Sequence, residues 1–125
     1  MDYMEINNKF DENNNNKLRK AVIYHILIDR FAGDNIKFEK WNKPEFIGGN
    51  LKGIINKIEY LKSLDIDIIL LSPFFETTKY HGYHIVDYFK IDPRFGSVDD
   101  FQKLIDICNK FNIKVCSDFV PNHCS

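Results

Sequence analysis

The sequence predicts an α/β fold in which parallel strands alternate with crossover helices. Three observations carry this. Short apolar runs begin near residues 21, 66 and 113. The segments between them carry apolar faces at helical spacing, and aromatic and titratable residues collect just after each run. Right-handed strand–helix–strand connections follow from such alternation. A doubly wound sheet and the start of a (β/α) barrel share this pattern, and in both the functional residues sit at the C-terminal ends of the strands.

Residues 1–20 hold six asparagines, four of them consecutive (Asn13 to Asn16). Such a segment buries too little apolar surface to offset its ordering entropy, so it is expected to be a disordered leader, with structure over 21–125. The run Ala21 to Ile28 is β-branched and apolar, as a strand covered on both faces would be. Asn50 is placed to cap a helix whose apolar residues are Leu51, Ile54, Ile55, Ile58, Leu61 and Leu64, with Lys52, Lys57 and Lys62 left for solvent. Asp65 suits a left-handed helix end. Ile66 to Ser72 reads as a second buried strand, stopped by Pro73. A long loop runs from Pro73 to Gly96. Ser97 and Asp100 have capping-box spacing. They open a second helix with Phe101, Leu104, Ile105, Cys108 and Phe111 on its apolar face. Asn112 closes it, and Ile113 to Val120 gives a third strand.

A length of 125 residues fits one ordinary domain. Apolar residues at 44% and charged residues at 28% are the balance of a soluble globular protein. Seventeen basic and eighteen acidic side chains leave a formal charge of −1 with no Lys/Arg cluster, which argues against a nucleic-acid partner. The longest apolar run, Ile68 to Leu71, is far below the ~20 residues of a membrane span. No hydrophobic stretch of signal-peptide type occurs in residues 1–20. Cys108, Cys116 and Cys124 are odd in number and lack C-x-x-C spacing, so they read as free thiols and the cytoplasm as the compartment.

Three chemistries are open to the loops after the strands. Lys79-Tyr80-His81-Gly82-Tyr83-His84 offers tyrosine faces on which pyranose rings stack. Asp118-Phe119-Val120-Pro121-Asn122-His123 adds a carboxylate, an amide and an imidazole to bond ring hydroxyls. The competing use of Tyr80, Tyr83 and Tyr88 is to pack beneath a long loop. A zinc site has donors in His81, His84, Asp118, His123 and Cys124, but their spacing matches no zinc pattern. Gly48-Gly49-Asn50 before a helix suggests either an anion cradle or a flexible hinge with a cap. With neither G-x-G-x-x-G nor a P-loop in the sequence, the hinge is favoured.

Taken in order, five segments resemble the alpha-amylase family, glycoside hydrolase family 13. Asp118 to His123 resembles its D-x-x-x-N-H region at barrel strand three. Val22 to Phe31 is similar to its first strand with the D-R-F ending, and Gly48 to Ile54 to the entry of its first helix. Leu71-Ser72-Pro73-Phe74 resembles its second strand. His81-Gly82-Tyr83, Asp87-Tyr88 and Ile91 to Ser97 resemble the loop that follows. Asn50 and His84 stand where many members have aspartate, and Cys124 where threonine is common.

The resemblance implies the first three β/α units of a TIM (β/α)8 barrel, truncated after strand three, since a whole barrel takes ~250 residues. It implies an N-terminal fragment of a glycosidase acting on α-glucans or malto-oligosaccharides by retaining hydrolysis or transfer. The family's nucleophile and acid/base belong to later strands, so no catalytic residue is expected here and the chain alone is not expected to be competent. By position, Tyr83 matches the tyrosine that stacks on the sugar, His123 the histidine that bonds it, and Asp118 the aspartate supporting that end of the site. Asn122 matches an asparagine that ligates calcium in many members, so the resemblance admits calcium without requiring a cofactor. The alternative is a non-catalytic carbohydrate-binding or assembly module derived from that family. With open strand edges, the isolated chain is expected to self-associate.

Overall fold

A computed structural model describes residues 18–124. In chain order its elements are β1 (Ile23–Ile26), α1 (Ile28–Phe31), a 3₁₀ turn (Phe38–Lys40), α2 (Leu51–Asn56), α3 (Ile58–Ser63), β2 (Ile68–Leu71), β3 (Phe75–Thr77), β4 (Ile85–Ile91), α4 (Val98–Lys110) and β5 (Lys114–Ser117). Strands β1, β2 and β5 form one parallel sheet in that order, with Tyr24 opposite Ile69 and Ile69 opposite Val115. The leader expected over 1–20 lies outside the described residues except at its end. There, 18–20 form a turn in which the Ala21 N–H donates to the Leu18 carbonyl at 3.3 Å.

The alternation of side chains across a strand sorts the sheet into two faces. Tyr24, Ile26, Ile69, Leu71 and Val115 join the core formed with Leu51, Ile54, Ile58, Leu61, Leu104 and Cys108 of the helices. Ile23, His25 and Cys116 lie on the opposite face, and Ile23 is 55% exposed. The first strand is thus covered on one face, not on two as its composition suggested. An apolar run records what a strand can bury; on that second face cover reaches Ile68 of β2, which is buried, but not its β1 neighbour Ile23. The same run is also shorter than expected. Leu27 turns the chain, so Ile28 enters the core from α1, where it is fully buried.

Asn50 caps α2 by accepting the Gly53 N–H at 2.8 Å. The single helix expected over 51–64 is two, because Lys57 leaves helical dihedrals and donates to the Ile54 carbonyl at 3.0 Å. The physical reason is in the sequence. Ile58, Leu61 and Leu64 recur every three residues, and a 3.6-residue period rotates such a row off the buried face. One tightened step restores Leu61 to the core, while Leu64 stays 42% exposed. Asp65 (φ 56°) and Asn112 (φ 58°) take the left-handed conformation that ends α3 and α4. Both halves of the Ser97–Asp100 capping box form.

The long loop over 73–96 contains structure that was not expected. Antiparallel strands β3 and β4 form a hairpin beside the main sheet. Its signal was present in Ile85-Val86, Tyr88-Phe89 and Ile91, a β-branched and aromatic run interrupted by charges. The third strand, expected over 113–120, pairs only over Lys114–Ser117. No helix among the described residues is long and apolar enough to cross a membrane.

Candidate functional site

The C-terminal ends of β2 and β5 meet at one hydrogen bond. After β2, Pro73 begins the loop that carries a turn closed by the Gly82 N–H donating to the Lys79 carbonyl at 3.0 Å. Gly82 has φ 84°, and a Cβ there would lie 1.9 Å from the Pro73 carbonyl oxygen, so only glycine lets the turn seat on the strand end. Tyr83 comes next, and its hydroxyl donates to Asp118 Oδ2 at 2.6 Å. Asp118 is itself fixed, its N–H donating to the Leu71 carbonyl at 2.8 Å one step beyond the β2–β5 ladder. Burial, then the Asp118 hydrogen bond and charge, push the Tyr83 hydroxyl up to about 12. The proton therefore stays on the tyrosine, and Asp118 is the acceptor.

Beside Tyr83 stands a cluster of rings. His81 Nδ1 accepts the Tyr83 main-chain N–H at 3.1 Å. The His81 ring packs against Tyr80 (5.3 Å between centroids), Tyr83 (5.7 Å) and His84 (5.2 Å). Burial, then the charges of His84 and Lys79, hold the His81 imidazole below its usual value. Arg30 of α1 places its guanidinium 3.9 Å from the centre of the Tyr80 ring. The same guanidinium pairs with Asp29 and donates to the Lys43 carbonyl at 2.7 Å and the Glu45 carbonyl at 3.0 Å. One arginine thus ties the 43–45 segment to the loop after β2.

The remaining carboxylates near these strand ends are committed to the scaffold. Asp29 is buried and accepts the N–H groups of Ile47 at 3.0 Å and Gly48 at 3.2 Å. Asp92, also buried, accepts from the Thr77 N–H at 3.1 Å and from Arg94 Nε at 2.9 Å and Nη2 at 2.7 Å. Burial alone would raise the Asp92 pKa, but the hydrogen bonds from Arg94 and Thr77 and the Arg94 charge bring it below the usual carboxylate range. Arg94 also stacks on Phe46, 3.7 Å from the ring centre. Asp87 accepts the Phe89 N–H at 2.8 Å and faces Lys90 at 3.5 Å.

His123 and Asn122 lie on a neighbouring wall, in an open cavity of about 380 Å³ shared with Tyr88, Phe119 and Val120. The Tyr88 hydroxyl reaches the carbonyl oxygens of Val120 at 2.5 Å and His123 at 2.9 Å, which pins this segment to β4. The structure therefore brings Tyr83 and Asp118 into direct contact and places His123 and Asn122 in a cavity that neither of those two lines. Calcium takes six to eight oxygen ligands, of which the Asn122 side chain would supply one at most. Among the described residues no three His, Cys, Asp or Glu side chains converge to hold a metal ion. These residues do not by themselves build a calcium site.

Gly48-Gly49-Asn50 is neither hinge nor anion cradle. The N–H groups of Gly49, Asn50, Leu51 and Gly53 donate to Asp29, Ala32, Phe95 and Asn50 oxygens, so none of these four is left for a phosphate. A Cβ at Gly49 would sit 2.1 Å from the Ile28 carbonyl oxygen, which makes it a point of close backbone packing. Sequence reasoning does not single out Arg30 or Arg94 as organisers. The available signal is an arginine one or two residues after an aspartate that follows a strand-like run, Asp29-Arg30 and Asp92-Pro93-Arg94.

A family model described as the alpha-amylase catalytic domain matches residues 5–125. Alpha-amylase 2 of Dictyoglomus thermophilum is 48% identical over 107 residues, 85% of this chain and 19% of that protein. Maltogenic alpha-amylase of Bacillus acidopullulyticus is 40% identical over 116 residues, 85% of this chain and 20% of that protein. The solved structure of maltogenic amylase from S. marinus superposes with a TM-score of 0.78 at 33% identity, covering 83% of this chain and 16% of that one. The chain thus spans about a fifth of the length of the curated relatives it matches.

Proposed function

This chain belongs to the alpha-amylase family, and from that premise we propose that it is the N-terminal part of a barrel acting on α-glucans or malto-oligosaccharides. In this reading the chain supplies the sugar-holding side of the cleft and not the reacting carboxylates. The observation that carries it is the Tyr83–Asp118 hydrogen bond at the C-terminal ends of two parallel strands, where α/β folds place their ligands. The Tyr83 ring offers a face for the C–H side of a pyranose. Asp118, held by the tyrosine hydroxyl and the Leu71 carbonyl, keeps its second oxygen to accept a sugar hydroxyl. His123 and Asn122 extend the wall with one imidazole and one amide. The reading requires no cofactor.

The chemistry argues for binding without cleavage. Retaining cleavage needs a nucleophile and a proton donor ~5–5.5 Å apart. Asp29 and Asp92 are saturated by main-chain and arginine donors, and Asp118 carries the tyrosine. The test is two measurements on the purified chain with maltotriose and β-cyclodextrin. Weak binding abolished by Tyr83→Ala, with no reducing sugar released from starch, is the expected result. Release of reducing sugar that disappears in Asp118→Asn overturns the division of labour.

A further inference from the structure

We propose that His81 is a positioning residue for this site, its unprotonated Nδ1 accepting the Tyr83 N–H and so fixing the turn that aims the tyrosine at Asp118. This rests on the reading of Tyr83 and Asp118 as the sugar-holding pair.

The argument starts from what the hydrogen bond demands. A main-chain N–H can only donate, so Nδ1 must carry a lone pair and any ring proton must sit on Nε2. The bond at 3.1 Å spans two residues across Gly82, the geometry that an Asx turn makes with a side-chain oxygen. It adds a second closure to a turn already held by the Gly82–Lys79 bond and seated on Pro73. With both in place, the backbone on each side of Gly82 is fixed, and the Tyr83 side chain leaves it toward Asp118.

The surroundings favour the neutral ring. Lys79 and His84 of the same loop face it with positive or titratable charge, and burial disfavours a cation further. Tyr80 presents an aromatic edge, and behind it the Arg30 guanidinium from α1 adds another positive charge. No carboxylate is among the groups that set the charge of the His81 ring, and Asp118 is engaged by the Tyr83 hydroxyl. Protonation puts an N–H on Nδ1 facing the Tyr83 N–H, and the second closure of the turn is lost. Sugar affinity then falls in acid through a group that never touches the sugar.

Three variants and one spectrum test this. In isotope-labelled protein, the Tyr83 amide shift is expected to follow the same acid midpoint as the His81 ring nitrogens, below the ordinary histidine value. His81→Asn restores an acceptor that does not titrate. It is expected to bind β-cyclodextrin like the parent at neutral pH and to lose the acid step. His81→Ala is expected to bind about two- to tenfold more weakly than the parent at neutral pH, the range of one neutral hydrogen bond, to show no acid step, and so to converge with the parent in acid. A Tyr83 amide indifferent to His81 protonation, or an alanine variant that binds unchanged, overturns the proposal. Unchanged sugar binding in Tyr83→Ala overturns the reading of the site, while the amide titration still reports on His81 by itself.

Discussion

The Tyr83 hydroxyl and the Asp118 carboxylate, 35 residues apart in sequence, meet at 2.6 Å across the ends of β2 and β5. The bond joins a loop to a strand end, so it bears on both the geometry of the site and the strength of the fold. Tyr83→Phe keeps the ring and deletes the bond. It is expected to cost about 0.5–1.5 kcal/mol in urea unfolding and to weaken sugar binding less than Tyr83→Ala does. A phenylalanine variant as stable as the parent would mean that Asp118 finds water as good a partner.

The same pair predicts an alkaline signature. With its hydroxyl raised to about 12, Tyr83 keeps its proton in the folded state where an unfolded tyrosine, near 10, has lost it. The contribution to stability is full below pH ~10 and is lost as pH rises from there through ~12. Spectrophotometric titration is expected to show a late component at Tyr83 that is lost in Tyr83→Phe, beside Tyr24, which burial and its hydrogen bond with Tyr60 also raise.

Asp92 and Arg94 give the opposite sign. The Asp92 carboxyl titrates below its unfolded value of ~3.9, so its stabilisation is present above that pH and is lost as pH falls through the folded value. Arg94→Ala removes two side-chain donors from a buried carboxylate and leaves the Thr77 and residue-94 N–H groups. A loss of about 2–3 kcal/mol is expected, since hydrogen bonds to charged groups are worth ~1.5–3 kcal/mol and Arg94 is half in solvent. The acid unfolding midpoint should move to higher pH. An unmoved midpoint would show that the main-chain donors suffice.

Gly82→Ala is expected to disturb the site more than the core. Its Cβ meets the Pro73 carbonyl and its φ of 84° suits glycine, so the turn must lift off the strand end. Sugar binding and the Tyr83 amide shift should change together, with at least ~1–3 kcal/mol of stability lost to strain. Parent-like binding in this variant would show that the turn reseats without cost.

Thiol reagents should divide the cysteines. Cys108 is fully buried on α4, and burial pushes its thiol up to about 11, while Cys116 and Cys124 are exposed. Two fast reactions and one that waits for unfolding are expected. Three fast thiols would mean that α4 leaves the sheet readily.

Much of this fold was legible because the deciding information was local. Asn50 and the Ser97–Asp100 box needed only their own turns to act as caps, and Asp65 only its own backbone. The pairing of Tyr83 with Asp118 was legible only as two residues after two strands, since the sequence held no measure of the distance between them. What escaped was set by partners far along the chain. The β3–β4 hairpin was hidden because its first strand is three residues long. The bareness of Ile23 depends on what lies across the sheet, and no property of Ile23 encodes that. Arg30 became visible as an organiser only once its carbonyl partners and the Tyr80 ring were in place.

The parallel register also has a consequence for synthesis. Ile68 of β2 pairs with Lys114 of β5, 46 positions later. At ~5–20 residues per second on the ribosome, a gap of that length takes several seconds to emerge. For that interval β2 has β1 on one side and a bare ladder of amide groups on the other. The segments made meanwhile pair or pack elsewhere, β3 with β4 and α4 on α2 and later β5, so this apolar edge stays unpaired until β5 arrives to close it.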